Sequence, residues 1–425
     1  MSRKPFPRHA AAVRVLFVSS LYAPHEVGGA EASLRAVAQG LGELGHDIHV
    51  ATLRPKQDSA PPLEHIDGVT VHRCTLANIY WPWATPKKRD ALSKGLWHLV
   101  NARNPWMARR LERLTFDVQP DVVVTGNLQG WSTAVFDALA TLDVPVVHVA
   151  NDYALACVQT ALFRNGRKCG VQDQRCASCR FLTGRNRRYA HRLAGQVSVS
   201  QSIEDFHRAH DLLVGREQTV IHNPLKPDVR IARRARSRRT PARFGFLGRI
   251  EKSKGIETAL RAMQILNERG VEAQFHIAGR APDEAYVDDL TSRLPVASAR
   301  YVGYVDAQSF LDSIDCLVFP SEWLEALGNS AIEAFARGVP VIGSTAGGIP
   351  ESVQHGENGY LFEPGNAATL ADHMQTVATK PEVHAQLSAN ALTVAGNYLP
   401  EHRAHAYAQF LAAIVDQHGG GAGTP

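Results

Sequence analysis

Apolar and polar positions along the chain alternate between two patterns. Val13 and the run Val15-Leu-Phe-Val form a short apolar stretch. Leu34, Val37, Ala38, Leu41 and Leu44 then recur at helical spacing, and Ile48-His-Val-Ala-Thr is a second short stretch. Short apolar runs bounded by turn residues predict buried strands, and the spacing of three and four predicts an amphipathic helix. Gly45 closes that helix, and the loop Leu21-Tyr-Ala-Pro-His-Glu-Val-Gly-Gly precedes it. The same reading predicts strands at 13–19, 48–52, 69–72, 121–124, 144–149, 196–200 and 219–222. It restarts at Phe244-Gly-Phe-Leu-Gly and continues with strands at 274–278, 300–302, 316–319 and 340–343. Strands alternating with helices imply parallel sheets covered on both faces. The expected fold class is therefore α/β, with two Rossmann-like β/α/β domains facing a central cleft. A ligand belongs in that cleft, at the carboxyl ends of the strands.

The pattern also sets boundaries. Residues 1–12 are expected to be a disordered tail and 13–224 an N-terminal domain that contains a cysteine-rich insertion at 157–180. A basic linker at 225–241 leads to a C-terminal domain at 242–397. A closing amphipathic helix at 398–416 is followed by a disordered glycine-rich tail at 417–425. From Lys226 to Arg243 eight basic residues stand against the single Asp228, as in a solvated connector. A chain of 425 residues exceeds one ordinary core, which agrees with two domains.

Composition adds little beyond this. The chain is 44% hydrophobic and 20% charged, as ordinary globular proteins are. No uncharged apolar run approaches the ~18 residues of a membrane span. Arg14 interrupts the apolar stretch that follows Arg3, Lys4 and Arg8, so the N-terminus reads as a first strand rather than a secretion signal. A cytoplasmic protein is expected, peripheral on the inner face of the membrane if it binds lipid. The net charge of +5 and pI of 8.9 suit an anionic ligand or membrane and give no sign of a nucleic-acid partner.

The strongest chemical signal is Pro320-Ser-Glu-Trp-Leu-Glu-Ala-Leu-Gly-Asn-Ser-Ala-Ile-Glu. An apolar strand ends at Pro320 and a helix is expected to begin near Gly328. The unpaired amides of Gly328, Asn329 and Ser330 would attract phosphate. Glu325 in the loop and Glu333 on the helix would flank it, Glu333 suited to a ribose and Glu325 to a transferred hexose.

This segment resembles the Glu-x7-Glu signature of retaining glycosyltransferase family 4, and the resemblance extends from about Val13 to about Ala371. It implies the two-domain fold called GT-B, with the acceptor on the N-terminal half and a nucleoside diphosphate sugar on the C-terminal half. Phe246-Leu-Gly-Arg-Ile-Glu-Lys-Ser-Lys-Gly resembles the family's segment in which an arginine and a lysine clamp the donor diphosphate. Those residues map to Arg249 and Lys254. Fixed cations there would meet the charge that develops on the leaving group. Pro24-His-Glu-Val-Gly-Gly-Ala-Glu resembles the family's N-terminal glycine loop, with Gly28 and Gly29 allowing close approach to a ligand. Ala346-Gly-Gly-Ile-Pro-Glu resembles a recurrent loop of the second domain, expected to be structural or nucleotide-lining.

The chain departs from the family after Pro145-Val-Val-His-Val-Ala. Many relatives place a histidine before the aspartate at the reacting centre, and here Asn151 precedes Asp152. Asn151 can bond a sugar hydroxyl but is no base at neutral pH, and a leaving phosphate could take that part. His148 is expected to be a packed strand residue. Cys157, Cys169, Cys176 and Cys179 follow within 23 residues. Their spacing fits a structural zinc held by four thiolates, preferred to disulfides in a reducing compartment. The alternative is four thiols in a basic loop. No Asp-x-Asp follows a strand, so transfer is expected to need no metal or other cofactor. Between Trp81 and Leu114, Trp81, Trp83, Trp97 and Trp106 mix with Lys87, Lys88, Arg89, Arg103, Arg109, Arg110 and Arg113. That mixture suits an interfacial helix on anionic lipid, and an ordinary half-buried helical hairpin is the other reading. The stretch Leu96-Trp-His-Leu also resembles relatives active on cell-surface polysaccharides, whose acceptors are often lipid-linked.

These readings converge on retaining transfer of a hexose-type sugar from a nucleoside diphosphate sugar to a saccharide or lipid-linked saccharide acceptor. Transfer to a small metabolite, and a non-catalytic sugar-nucleotide-binding protein, are the alternatives. An epimerase of the same fold is disfavoured by the Glu-x7-Glu segment.

Overall fold

The structure is a computed structural model that describes residues 12–26, 28–83, 89–164, 167–169, 177–212, 217–232, 238–281, 284–292 and 298–420. The first half is built on β1 (Arg14–Val18), β2 (Asp47–Arg54), β3 (Leu63–Ile66), β4 (Val69–Thr75), β5 (Val122–Thr125) and β6 (Val146–Ala150). A small hairpin of β7 (Phe163–Arg164) and β8 (Arg167–Lys168) intervenes before β9 (Gly195–Ser198) and β10 (Glu217–Val220). The second half holds β11 (Ala242–Leu247), β12 (Ala273–Ala278), β13 (Ala299–Gly303), β14 (Cys316–Phe319), β15 (Val341–Ser344) and β16 (Gly359–Phe362).

The first sheet runs in the order β10-β9-β6-β5-β1-β2-β4-β3 and the second β13-β12-β11-β14-β15-β16. All pairings in the two large sheets are parallel except β3 with β4. The fold is thus the expected pair of Rossmann-like α/β halves. The strand expected at 219–222 begins two residues earlier. The edge strand β3 escaped the pattern because it is half exposed and carries Glu64 and His65. Its turn was nonetheless written in the sequence: Asp67 and Gly68 have φ of 50° and 79°, the Asp-Gly geometry of a two-residue hairpin.

Both sheets are buried on both faces, which explains their continuous apolar strands. Val15 and Phe17 face one core while Leu16 and Val18 face another. The core beneath Val15 and Phe17 runs on into the second half through Phe319, Leu327 and Phe335. Phe244, Phe246 and Ile342 point into a third core beyond it.

The closing helix returns to the first half as expected. Gly40 gives it room, since a Cβ there would lie 2.6 Å from Ala404, and Phe410 and Ile414 cover Gly195. It spans Pro400–Gly420, which corrects the expected tail: residues 417–420 are helical, and only 421–425 lie outside the described residues. Gln417 bonds Glu217 and His418 bonds Asp143, holding the last turn in place. Of the expected N-terminal tail, only residue 12 is described.

The linker is also corrected. It is not a solvated connector over its described length, because it packs on the second half. Lys226 pairs with Glu333 and Arg239 with the buried Asp315. Val229 and Ile231 lie against the core. Two buried carboxylates need counter-charges, and the basic stretch supplies them.

Candidate functional site

The side of the cleft expected to take the donor forms where β14 ends. Gly328 caps the helix Asn329–Ala336 at φ +94°, and a Cβ there would sit 2.3 Å from the Phe319 ring, so only glycine fits this turn. The loop before it carries Glu325, which is 5% exposed. One oxygen, Oε1, accepts bonds from Ser321 Oγ at 2.5 Å, Trp323 Nε1 at 2.6 Å and Lys254 Nζ at 2.6 Å. Lys254 comes from the 3-10 turn Lys252–Lys254, and its ammonium also lies 4.7 Å from the centre of the Trp323 ring. Gly255, at φ +68°, lets this turn pass the Pro320 carbonyl, which a Cβ would approach to 1.9 Å. Three donors on one carboxylate oxygen fix the rotamer and offset the cost of burying the charge.

Glu333 lies on the same helix and is buried, with Lys226 Nζ 2.9 Å from its Oε1. Burial pulls the Lys226 ammonium down, but Glu333 outweighs it and the pKa stands above its ordinary value. Arg249 follows β11 and is 58% exposed, with Glu251 at 3.3 Å. The structure therefore unites Lys254 with Glu325, ties Glu333 to the linker and leaves Arg249 reaching towards solvent. Ser330 lies half-buried in the first turn of the helix.

The glycine loop of the first half meets this helix start directly. Asn329 Nδ2 donates to the Gly29 carbonyl at 3.2 Å and to Ser33 Oγ at 3.3 Å, while its Oδ1 accepts from Asn223 at 3.0 Å. A Cβ on Gly29 would fall 2.5 Å from Asn329 Nδ2, so any larger residue would push the Asn329 amide out of this contact. The Gly28 amide donates to Glu31 at 2.9 Å, and Asn127 bonds the other oxygen of Glu31 at 3.2 Å.

The side expected to take the acceptor lies past β6. Asn151 and Asp152 line a cavity of 100 Å³ together with Trp97, Asn101, Asn127 and His148. Asn151 also borders a smaller cavity of 30 Å³ that reaches Ser33 and Asn223. It therefore stands between the pocket of the first half and the cleft. Desolvation pushes the Asp152 carboxyl up to about 6, although the Ala154 amide that it accepts pulls the other way. His148 belongs to the strand, as expected. Burial lowers its imidazole to about 4, and it bonds Thr125.

Cys157 and Cys179 are buried and share a hydrogen bond, which is the main cause that lowers the Cys157 thiol to about 6. Cys169 is half-buried, and Cys176 lies outside the described residues. Among the described residues no three metal-ligating side chains are grouped to hold an ion.

One important residue was passed over. Glu351, at the end of Gly-Gly-Ile-Pro-Glu, crosses from the second half to the first. It accepts from the Gln201 and Ser202 amides at 2.8 and 2.9 Å and lies 3.1 Å from His222. Its helix-capping partner is invisible in sequence because 149 residues separate Ser202 from Glu351. The signal was the double glycine: a Cβ on Gly348 would strike the Ala326 carbonyl at 2.4 Å, so the loop has to pass close to its neighbours.

Two Rossmann-like halves with a cleft between them are the architecture called GT-B. Sequence comparison agrees: the family described as glycosyl transferases group 1 matches residues 229–394, and the glycosyl transferase 4-like domain matches residues 28–224. The chain belongs to these family 4-like glycosyltransferases. It is 28% identical over 354 residues to an uncharacterized 42.6 kDa protein in the cps region of Klebsiella pneumoniae, covering 83% of this chain and 90% of that one. It is 24% identical to a D-inositol 3-phosphate glycosyltransferase of Pseudarthrobacter chlorophenolicus, covering 93% and 92%. Among solved structures, sucrose-phosphate synthase from Thermosynechococcus elongatus superposes with a TM-score of 0.73 at 19% identity, covering 94% of this chain and 99% of that one. Anabaena Alr3699/HepE in complex with UDP gives 0.68 at 17% identity, covering 94% and 100%.

Proposed function

We propose that the protein moves a hexose-type sugar, with retention, from a nucleoside diphosphate sugar to a saccharide acceptor, free or lipid-linked, in cell-surface polysaccharide or glycoconjugate synthesis. The observation that carries this reading is the buried Lys254–Glu325 pair beside the Gly328–Asn329 helix start, facing the Gly28–Gly29 loop across the cleft. The diphosphate would lie at the helix start, where unpaired amides and the helix dipole favour anions. Arg249 and Lys254 would meet the charge that grows on the leaving phosphate. Glu333, anchored by Lys226, would accept from ribose hydroxyls, and Glu325, oriented by its three donors, from the hexose. Asn151 would orient an acceptor hydroxyl, leaving its proton to the departing phosphate, and no metal enters the step.

The reading draws support from HepE, whose solved forms include one with UDP-glucose, and from the relative in a Klebsiella cps region. In the insertion, Cys157, Cys169, Cys176 and Cys179 would hold a structural zinc, which metal analysis of protein purified without added metal would test.

Asn151 in place of a base favours one second reading, a sugar-nucleotide-binding protein without turnover. A screen of nucleotide sugars for tight binding, followed by nucleotide release with and without acceptor extracts, separates the two. Release that depends on acceptor is expected. Tight binding with no release under any acceptor would overturn the transferase reading.

A further inference from the structure

Among the described residues ten large hydrophobic side chains are exposed, and seven of them lie within 79–116 and at 181. Leu92, Leu96 and Leu99, at 72%, 44% and 52% exposure, follow the i, i+4, i+7 spacing of one helical face on Ala91–Ala102. The opposite face of that helix buries Trp97. The helix Ala177–Thr183 packs beside it and presents Phe181 at 77% exposure. Trp106 opens the next helix, Pro105–Val118, and is also exposed. The same and adjoining segments expose the guanidinium groups of Arg103, Arg109, Arg113, Arg180, Arg187 and Arg188 against the exposed carboxylates of Asp90 and Asp117, an excess of positive charge on this part of the first half.

We infer that this face docks on an anionic lipid bilayer, with the leucine stripe and Phe181 inserted at the level of the headgroups and the arginines on lipid phosphates. No described helix is long and apolar enough to cross a membrane, so the contact is interfacial, with the helix lying in the surface plane. The charge argues for lipid over a second copy of the chain. A two-fold pairing through this face would set its excess of positive charge against its own equivalent, whereas a bilayer offers negative charge and hydrocarbon together. Nucleic acid would use the arginines and leave the leucines in water.

The placement bears on chemistry. The inner sides of the same two helices, through Trp97, Asn101, Leu182 and Thr183, line the cavity that ends at Asn151 and Asp152. A lipid-linked acceptor would therefore pass from the bilayer to the reacting centre across the thickness of one helix, about 10 Å. This consequence rests on the acceptor reading above, while the docking itself does not.

The test is co-sedimentation of the full chain with vesicles of phosphatidylcholine alone and of phosphatidylcholine with phosphatidylglycerol. Binding is expected only to the anionic vesicles, weakening as salt rises. The triple variant Leu92→Ser, Leu96→Ser, Leu99→Ser should bind roughly tenfold or more weakly, because apolar burial is lost. Arg180→Glu with Arg187→Glu should lose the preference for anionic lipid. All five positions are exposed, and thermal melts would verify that both variants fold. Equal binding by parent and triple variant, absence of binding to anionic vesicles, or self-association that the leucine variant abolishes would each overturn the inference. Nucleotide release with a soluble saccharide acceptor, measured on the same variants, should be unchanged. Loss of lipid binding with release intact would leave the transferase reading standing.

Discussion

The two walls of the cleft solve opposite problems. On the donor wall, charge is buried and bonded: Glu325 takes three donors on one oxygen and Glu333 holds Lys226. On the acceptor wall, charge is suppressed. His148 is held down at about 4, Asp152 is pushed up to about 6, and the neutral Asn151 stands beside them. A diphosphate leaving group calls for fixed charges whose reorganisation cost was met during folding. An acceptor hydroxyl needs shape and neutral hydrogen bonding from a partly apolar pocket. The difference teaches that, on the proposed reading, donor chemistry would rest on ion pairs and acceptor chemistry on a cavity.

The sharpest way to break this comparison is Lys254→Ala. It strands Glu325 without its counter-charge, and breaking a buried pair costs about 3–5 kcal/mol. Donor turnover should fall on the order of 10²–10³-fold, whereas Asn151→Ala should leave nucleotide affinity close to parental. Calorimetry with the nucleotide and initial rates on both variants would check it, and equal losses of nucleotide affinity would erase the distinction between the walls.

Gly29→Ala probes the contact between the walls. The added carbon would push against Asn329, and a misplacement of about 1 Å can cost up to about 10²-fold in rate. Turnover should drop roughly 10–100-fold with little change in nucleotide affinity. Glu333→Gln should weaken donor binding on the order of tenfold, since a hydrogen bond to a charged group contributes about 1.5–3 kcal/mol. A donor KM equal to the parent's would remove Glu333 from the site.

Glu351 and Asp152 give opposite pH responses. Burial raises the Glu351 carboxyl, but His222 and the Ser202 and Gln201 amides outweigh it and hold the pKa below its ordinary 4.5. Its contribution is thus complete above pH 4.5 and is lost as pH falls through the lower folded value. Glu351→Gln should lower Tm by several degrees at neutral pH and by less in acid, since about 1.5–3 kcal/mol is at stake. Asp152 is raised from 3.8 to about 6, so the unfolded chain ionises first and stability declines as pH rises across that window. Asp152→Asn should therefore raise Tm slightly at neutral pH, an advantage that vanishes below pH 3.8. Melting curves for both variants at neutral and acid pH would read the two signs, and parallel curves would refute the assignment of opposite environments.

Much of this was legible in the chain. Short apolar runs alternating with helical spacing are local patterns, so the two α/β halves and their order follow from them. The geometry of the loop after β14 was legible too, because Gly328, Asn329 and both glutamates lie within one strand–loop–helix segment set by neighbours in sequence. Where local signals were weak the reading slipped, as at the half-exposed β3 and at the last turn of the closing helix.

What the sequence by itself determined is the architecture and the strand–loop–helix segment that carries Glu325 and Glu333. Only the tertiary structure decided their partners. Lys226 looked like part of a solvated basic run, and it became the counter-ion of Glu333 because burying a carboxylate demands one. Glu351 looked like the end of a loop, and it became the link between the halves because two amides of a helix start, 149 and 150 residues away, were left for it to accept from. Partner choice at such separation depends on how two folded surfaces meet, which no local pattern encodes. The cavity at Asn151 and the outward leucine face beside it arise in the same way, from which side of a helix the first sheet happens to cover.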